Sequence, residues 1–76
     1  MKEFVAYIIK NLVDEPNGVD INIIDGEQGI VIKVKASPQD VGKIVGRQGR
    51  TIKALRTIAM TVGARLGRRV RLEVVQ

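Results

Sequence analysis

The stretch that decides the fold is residues 44–55, which read Ile44-Val45-Gly46-Arg47-Gln48-Gly49-Arg50-Thr51-Ile52-Lys53-Ala54-Leu55. Two glycines bracket two polar residues, and helical patterns lie on both sides of them. Glycine has no Cβ, so the chain can turn sharply here and a second backbone can approach closely. The amide groups at the start of the following helix attract anions. A phosphate-bearing strand would therefore fit against this loop, although a tight corner between two helices would also use two glycines.

Hydrophobic periodicity on the N-terminal side of the loop predicts a helix, two strands and a second helix. Apolar residues at helical spacing cover 2–13 and stop at Pro16-Asn17-Gly18. Alternation over 19–23 and 30–35 predicts two strands that form a hairpin. For the second helix, Ser37 fits the N-cap, Pro38 the first helical position and Asp40 the residue that returns the capping hydrogen bond.

The C-terminal side of the loop predicts a long helix and a last strand. One side of that helix is lined by Ile52, Leu55, Ile58, Ala59, Val62 and Leu66. Met60 and Gly63 are assigned to a face away from this stripe, Gly67 follows the helix end, and residues 70–75 alternate as a strand. The sequence thus predicts one α+β domain over residues 1–76. Its order is α-β-β-α-α-β, with three helices packed on one face of a three-stranded sheet.

Positive charge is concentrated in the C-terminal half of the chain. Residues 43–76 carry nine basic side chains against Glu73 alone, whereas residues 1–42 carry four basic against seven acidic ones. Most of the C-terminal cations are arginine, whose planar guanidinium suits phosphates and base edges. The net charge is +5, so we expect a polyanionic partner, with a surface charged only for solubility as the alternative.

Composition excludes several classes of function. The 76 residues include no Cys and no His, which removes disulfides, thiolate nucleophiles, imidazole bases and nearly all zinc chemistry. No acidic residues cluster near the loop, so we predict no catalytic residue, no metal and no cofactor. Phe4 and Tyr7 are too few aromatic residues for RRM, cold-shock or OB domains, which stack bases on rings. Apolar runs are far shorter than the ~20 residues of a membrane span, and Met1-Lys2-Glu3 does not open a signal peptide, so we expect a cytoplasmic protein.

Two aliphatic residues, GxxG, two spacers, Ile52 and then Leu55 together resemble the signature of the KH domain. The element order resembles the prokaryotic, type II arrangement, and the short chain is similar to the small stand-alone bacterial KH proteins of the KhpA family. The resemblance implies that the loop at 46–49 clamps about four nucleotides of single-stranded RNA or DNA. The predicted RNA-binding residues are Gly42, Lys43, Val45, Gly46, Arg47, Gln48, Gly49, Arg50, Ile52 and Lys53. Ile32 or Val34 of the middle strand would form the far wall of the groove, and plain core packing is the alternative for Val45 and Ile52.

The resemblance also implies a role and partners. We expect a small RNA chaperone or post-transcriptional regulator that forms a homodimer, or a heterodimer with a larger KH protein of the Jag type. The flat face around Met60 would supply the dimer contact, unless Met60 is simply a lone exposed methionine. The alternative function is a protein-interaction or dimerisation module in which RNA binding is secondary.

Overall fold

The computed structural model describes residues 2–75. Its helices are α1 (Lys2–Leu12), α2 (Pro38–Val45) and α3 (Arg50–Arg65). Its strands are β1 (Asp20–Gly26), β2 (Gly29–Lys35) and β3 (Val70–Val75). Short 3₁₀ turns span Pro16–Gly18 and Arg47–Gly49. The predicted α+β order α-β-β-α-α-β is confirmed. No helix among the described residues is both long enough and apolar enough to cross a bilayer.

The three strands form one mixed sheet in the order β1-β2-β3. β1 and β2 are an antiparallel hairpin, and β3 lies parallel to β2 because the two helices between them carry the chain back along the sheet. Alternate strand residues face the helices and join residues of all three helices in one core. This core contains Val5, Ile9, Ile21, Ile32, Val34, Ile44, Ile52, Leu55, Ala59, Val70 and Leu72.

Asp40 does not make the capping hydrogen bond that the sequence pattern predicted. Its side chain is fully buried, and its two carboxylate oxygens accept the backbone N–H groups of Asp14 at 3.2 Å and Glu15 at 3.0 Å. The hydroxyl of Ser37 donates to Glu15 Oε2 at 2.7 Å instead of capping α2. Because local spacing carries no signal for a contact 25 residues away, the prediction was wrong. Asp40 fastens the segment after α1 to the helix that leads into the 46–49 loop.

The predicted apolar stripe of α3 is only partly buried. Leu55 and Ala59 lie in the core, whereas Ile58 is 40% and Leu66 is 62% exposed. A helix that packs on a sheet covers a narrow strip, and Ile58 lies at the margin of that strip, beside Phe4 of α1. The apolar stripe of the sequence is therefore wider than the strip of α3 that packs in the core.

The end of α3 packs closely on the start of β3. Gly63 is buried, and a Cβ there would lie 2.8 Å from the carbonyl oxygen of Arg68, so its assignment to an exposed face beside Met60 was wrong. Met60 itself is exposed as predicted. Gly67 ends the helix with a left-handed φ of 70°. The Gly67 N–H bonds to the carbonyl of Ala64 at 3.1 Å and the Arg68 N–H to that of Gly63 at 2.8 Å, which is a Schellman motif.

Candidate nucleic-acid interface

Three of the four residues in the 46–49 loop have a positive φ. The φ and ψ angles are 79° and 174° at Gly46, 57° and 25° at Gln48, and 74° and 15° at Gly49. Gln48 is the one non-glycine residue in the described range 2–75 with a positive φ. A left-handed conformation costs an ordinary side chain about 1 kcal/mol. Such strain concentrates at sites where a ligand is bound, so the loop conformation points to function beyond a simple corner.

The two loop glycines are required for different reasons. A Cβ on Gly46 would collide with the side chain of Thr51 and lie 2.9 Å from its backbone nitrogen. At Gly49 the nearest atom to an added Cβ is Ile52 Cγ2 at 3.9 Å, so only the left-handed φ favours glycine there. The loop is thus folded tightly onto the first turn of α3, with its outer surface open to solvent.

Hydrogen-bond donors converge where the loop enters α3. Arg47, Gln48, Arg50 and Lys53 are all exposed, and none of their cations forms an ion pair within residues 2–75. No side chain caps the N-terminus of α3. The Arg50 N–H donates to the carbonyl oxygen of Arg47, and the helix dipole adds partial positive charge at this end. This combination suits an anion such as a phosphate.

An apolar groove lies beside α2, next to the loop. It is lined by Ala36, Pro38, Val41, Gly42 and Val45. Gly42 faces open space, because no atom lies within 4 Å of the position of a Cβ. An apolar surface of this kind offers contact area for the apolar faces of nucleobases. Val45 is partly buried and also lines the groove, whereas Ile52 is 7% exposed and belongs to the core beneath the loop.

The sequence that forms this loop, helix and groove matches one family of known proteins along nearly its full length. A family model described as the KH domain of KhpA and KhpB matches residues 2–74. The chain belongs to this KH family. Among curated proteins, the RNA-binding protein KhpA of Chlamydia pneumoniae is 49% identical over 76 residues, which are 100% of this chain and 97% of that protein. The proteins of the same name from Clostridium perfringens and Borreliella burgdorferi are each 41% identical, covering 99% and 96% of this chain and 100% and 89% of theirs.

The far wall of the KH groove is not where the sequence placed it. Ile32 and Val34 are both 0% exposed, because their faces of the middle strand lie under the helices, so neither can touch a bound base and that prediction was wrong. Besides the apolar groove of α2, a second groove runs between α3 and the edge strand β3. It is lined by Arg56, Met60, Val70, Arg71, Leu72 and Glu73.

Arg56 is a candidate contact residue that the motif did not single out. Its Nε–H donates to the carbonyl oxygen of Leu72 at 3.1 Å, which holds the guanidinium along the edge of β3. Arginine has five N–H donors, so most of them remain for a ligand. The available sequence signal was the spacing of Arg50, Lys53 and Arg56 by three residues, which repeats a cation along one side of a helix.

Lys43 lies on the other side of α2 from the apolar groove. Its ammonium contacts the carboxylate of Asp14 and lies 3.7 Å from Asp40 Oδ1. The hydrogen bond to Asp14 raises the pKa of Lys43 above its usual 10.5. At 100° per residue, Lys43 is about 160° around the helix from Val45. The structure therefore brings Arg47, Arg50 and Lys53 to the loop but directs Lys43 to the contact between α2 and the segment after α1.

Proposed function

We propose that this chain is an RNA-binding protein that holds a short single-stranded segment against the 46–49 loop and catalyses no reaction. The observation that carries the proposal is the left-handed loop, free of acidic residues, at the start of α3 beside the apolar groove of α2. The exposed side chains of Arg47 and Arg50 would bind the phosphates, and Gly42 and Val45 would contact the bases. The name shared by the KhpA relatives, RNA-binding protein, supports the same function.

The groove favours a single strand over a duplex. Bases in a duplex are paired and stacked, so they cannot lie on an aliphatic surface, whereas an unpaired strand can turn them outward. If three or four phosphates are neutralised at about 0.7 each, log K should fall against log salt with a slope of roughly −2 to −3. A four-nucleotide site should bind weakly, with a Kd of about 1 μM. Preference for perfect duplex RNA would contradict the proposal.

The loop is tested by charge reversal. Arg47→Asp with Gln48→Asp should abolish RNA binding measured by fluorescence anisotropy, because two carboxylates would face the phosphates. A matched control, Lys2→Asp with Asn11→Asp on α1, makes the same change in net charge away from the loop and should retain most of the affinity. Circular dichroism checks that both variants fold. Full binding by a folded loop variant would refute the clamp.

We also propose that the protein pairs with itself or with a larger KH protein of the Jag type, and acts in the cytoplasm as an RNA chaperone or post-transcriptional regulator. Support comes from apolar side chains exposed on the helices. Phe4 of α1 is 48% exposed and Ile58 of α3 is 40% exposed, and both line one cleft between the two helices. Tyr7, which is 61% exposed, lies one turn after Phe4. Clusters of this kind are typical of protein contact surfaces.

Two substitutions on opposite flanks of α3 decide where pairing occurs. We expect Ile58→Asp to yield a folded monomer by light scattering, with normal binding of a tetranucleotide. The Met60 face, which the sequence suggested, also carries Lys53 and Arg56, and a two-fold contact there would bring like charges together. If Met60→Asp yields a monomer and Ile58→Asp does not, the dimer contact lies on the Met60 face. A wild-type protein that is monomeric at high concentration would exclude homodimerisation.

A further inference from the structure

Cations gather a second time at the end of α3 that is farthest from the 46–49 loop. α3 has 16 residues and therefore spans about 24 Å. Arg65 is its last residue, and Arg68, Arg69 and Arg71 follow within the next six positions. The molecule thus carries a basic loop at one end of α3 and a basic segment at the other.

These arginines do not all have the same role. Arg68 contacts the carboxylate of Asp25, and its Nη2 donates to the carbonyl oxygen of Gly26 at 2.6 Å, so it ties the β1–β2 hairpin to the end of α3. Arg69 and Arg71 belong to the open face of the sheet, because Val70 and its alternate neighbours face the helices. The Arg71 side chain is 76% exposed, with Nε 3.4 Å from a Glu73 oxygen. Both Arg69 and Arg71 are therefore accessible to a ligand.

A shallow groove of about 560 Å³ opens on this face beside the hairpin turn. Arg69 and Arg71 form one rim of this hairpin groove, and Ile24 and Val31, register partners on β1 and β2, form an apolar part of its lining. Gly26 and Gly29 also pair, and both line the groove. Glycine is needed at position 29, where φ is 142° and an added Cβ would lie 3.2 Å from the carbonyl carbon of Arg69.

We infer that the hairpin groove is a second contact for the same single-stranded RNA that the loop holds. The inference rests on the proposed function. Two arginines can bind phosphates bidentately, and the Ile24–Val31 surface can carry a base. Glu27 is the acidic residue among the groove's lining. RNA is favoured over an acidic protein segment because an RNA already bound at the loop is present near this groove at high effective concentration.

The separation of the two contacts sets a minimum RNA length. The ~24 Å length of α3 is a lower bound on the path between the two contacts, because the hairpin groove lies on the face of the sheet opposite to α3. A stacked single strand advances about 3.4 Å per nucleotide, so at least about seven nucleotides are needed to cover that path. With about four nucleotides at the loop, the strand reaches the hairpin groove only when it exceeds about 11 nucleotides. A longer RNA offers the loop more positions at which to bind, so affinity rises gradually with length in any case. The second contact should add a step to this gradual rise once the RNA is long enough to reach the hairpin groove.

A length series on the full chain tests the inference. Single-stranded RNAs of randomised sequence, of 5, 8, 11, 14 and 17 nucleotides, are titrated by anisotropy against wild type and Arg69→Gln with Arg71→Gln. We expect the variant to lose about tenfold in affinity for the 14-mer, since two exposed charge contacts each contribute a few-fold. It should change less than twofold for the 5-mer, and its 14-mer salt slope should be shallower by about 1.4. The control with equal charge change is Lys2→Gln with Lys10→Gln on α1.

A second variant guards against indirect effects of the arginine changes. Ile24→Glu places a carboxylate on the groove lining at a position that is 46% exposed, and it should reproduce the loss for the 14-mer. The inference is overturned if the affinity rises without a step, or if both groove variants match the α1 control. It is also overturned if they change only the oligomeric state, which would make the groove a protein contact. Wild type that binds no RNA of any length would instead refute the proposed function itself.

Discussion

Gly42→Ala separates the stability of the domain from its RNA binding. Gly42 lies inside α2, and a Cβ there would meet no atom within 4 Å. In a helix interior alanine is more favourable than glycine by about 0.8–1.0 kcal/mol. Because nothing opposes the added methyl group, the free energy of unfolding should rise by about 0.5–1 kcal/mol, which urea denaturation can measure.

The same methyl group should weaken RNA binding. Gly42 lines the apolar groove between Val41 and Val45, so a methyl group there occupies space that a base would otherwise fill. One misplaced methyl group in a close-fitting site costs about 1–3 kcal/mol, or about fivefold or more in affinity. Anisotropy with a labelled single-stranded pentanucleotide measures that loss, on the same protein samples used for denaturation.

Ala54→Gly provides the reverse exchange on an exposed site of α3. It should destabilise the domain by about 0.8–1.0 kcal/mol and leave RNA affinity unchanged. If Gly42→Ala stabilises the domain yet binds RNA as tightly as wild type, bases do not lie on α2 and the groove assignment fails. If Gly42→Ala destabilises the domain, the added methyl group meets other atoms and the space beside Gly42 is not open.

Three further predictions concern the loop and its support. Gly46→Ala should lower the free energy of unfolding in urea by about 3 kcal/mol, because its backbone conformation is open mainly to glycine and the new methyl group would clash with α3. Gly49→Ala should lower it by about 1 kcal/mol, because only the positive φ opposes alanine there. Equal losses in the two variants would contradict this distinction. Asp40→Ala should cost about 3 kcal/mol, because it leaves two amides and a cation without their buried partner, and an unchanged urea midpoint would exclude that role. The pKa of Lys43 is raised in the folded state, so its contacts stabilise the domain below pH ~10.5 and this contribution disappears as pH rises further. In Lys43→Met, the midpoint temperature of thermal unfolding should therefore fall less steeply above pH ~10.5 than in the wild type.

Local sequence was sufficient for the secondary structure and for the loop at the centre of the candidate site. The helices, hairpin and last strand follow from apolar periods of 3.6 and 2, which any segment expresses in its own side chains. Gly67 marked the end of α3 because a left-handed residue is needed there. Gly46 and Gly49 marked the loop for a related reason, since both require a positive φ.

Only the tertiary structure decided which residues distant in sequence contact one another and which side chains are left exposed. Asp40 looked like a capping residue, yet it binds amides 25 residues earlier, and Lys43 turns toward Asp14 instead of the groove. Ile58 is exposed because the sheet covers only a narrow strip of α3. Arg56 reaches the edge of β3 only when α3 and β3 pack together. Periodicity specifies which face of an element is apolar, because each residue's position around a helix or strand is fixed locally. Which neighbour covers that face, and which charge finds a partner, depends on contacts that form only when the whole chain has folded.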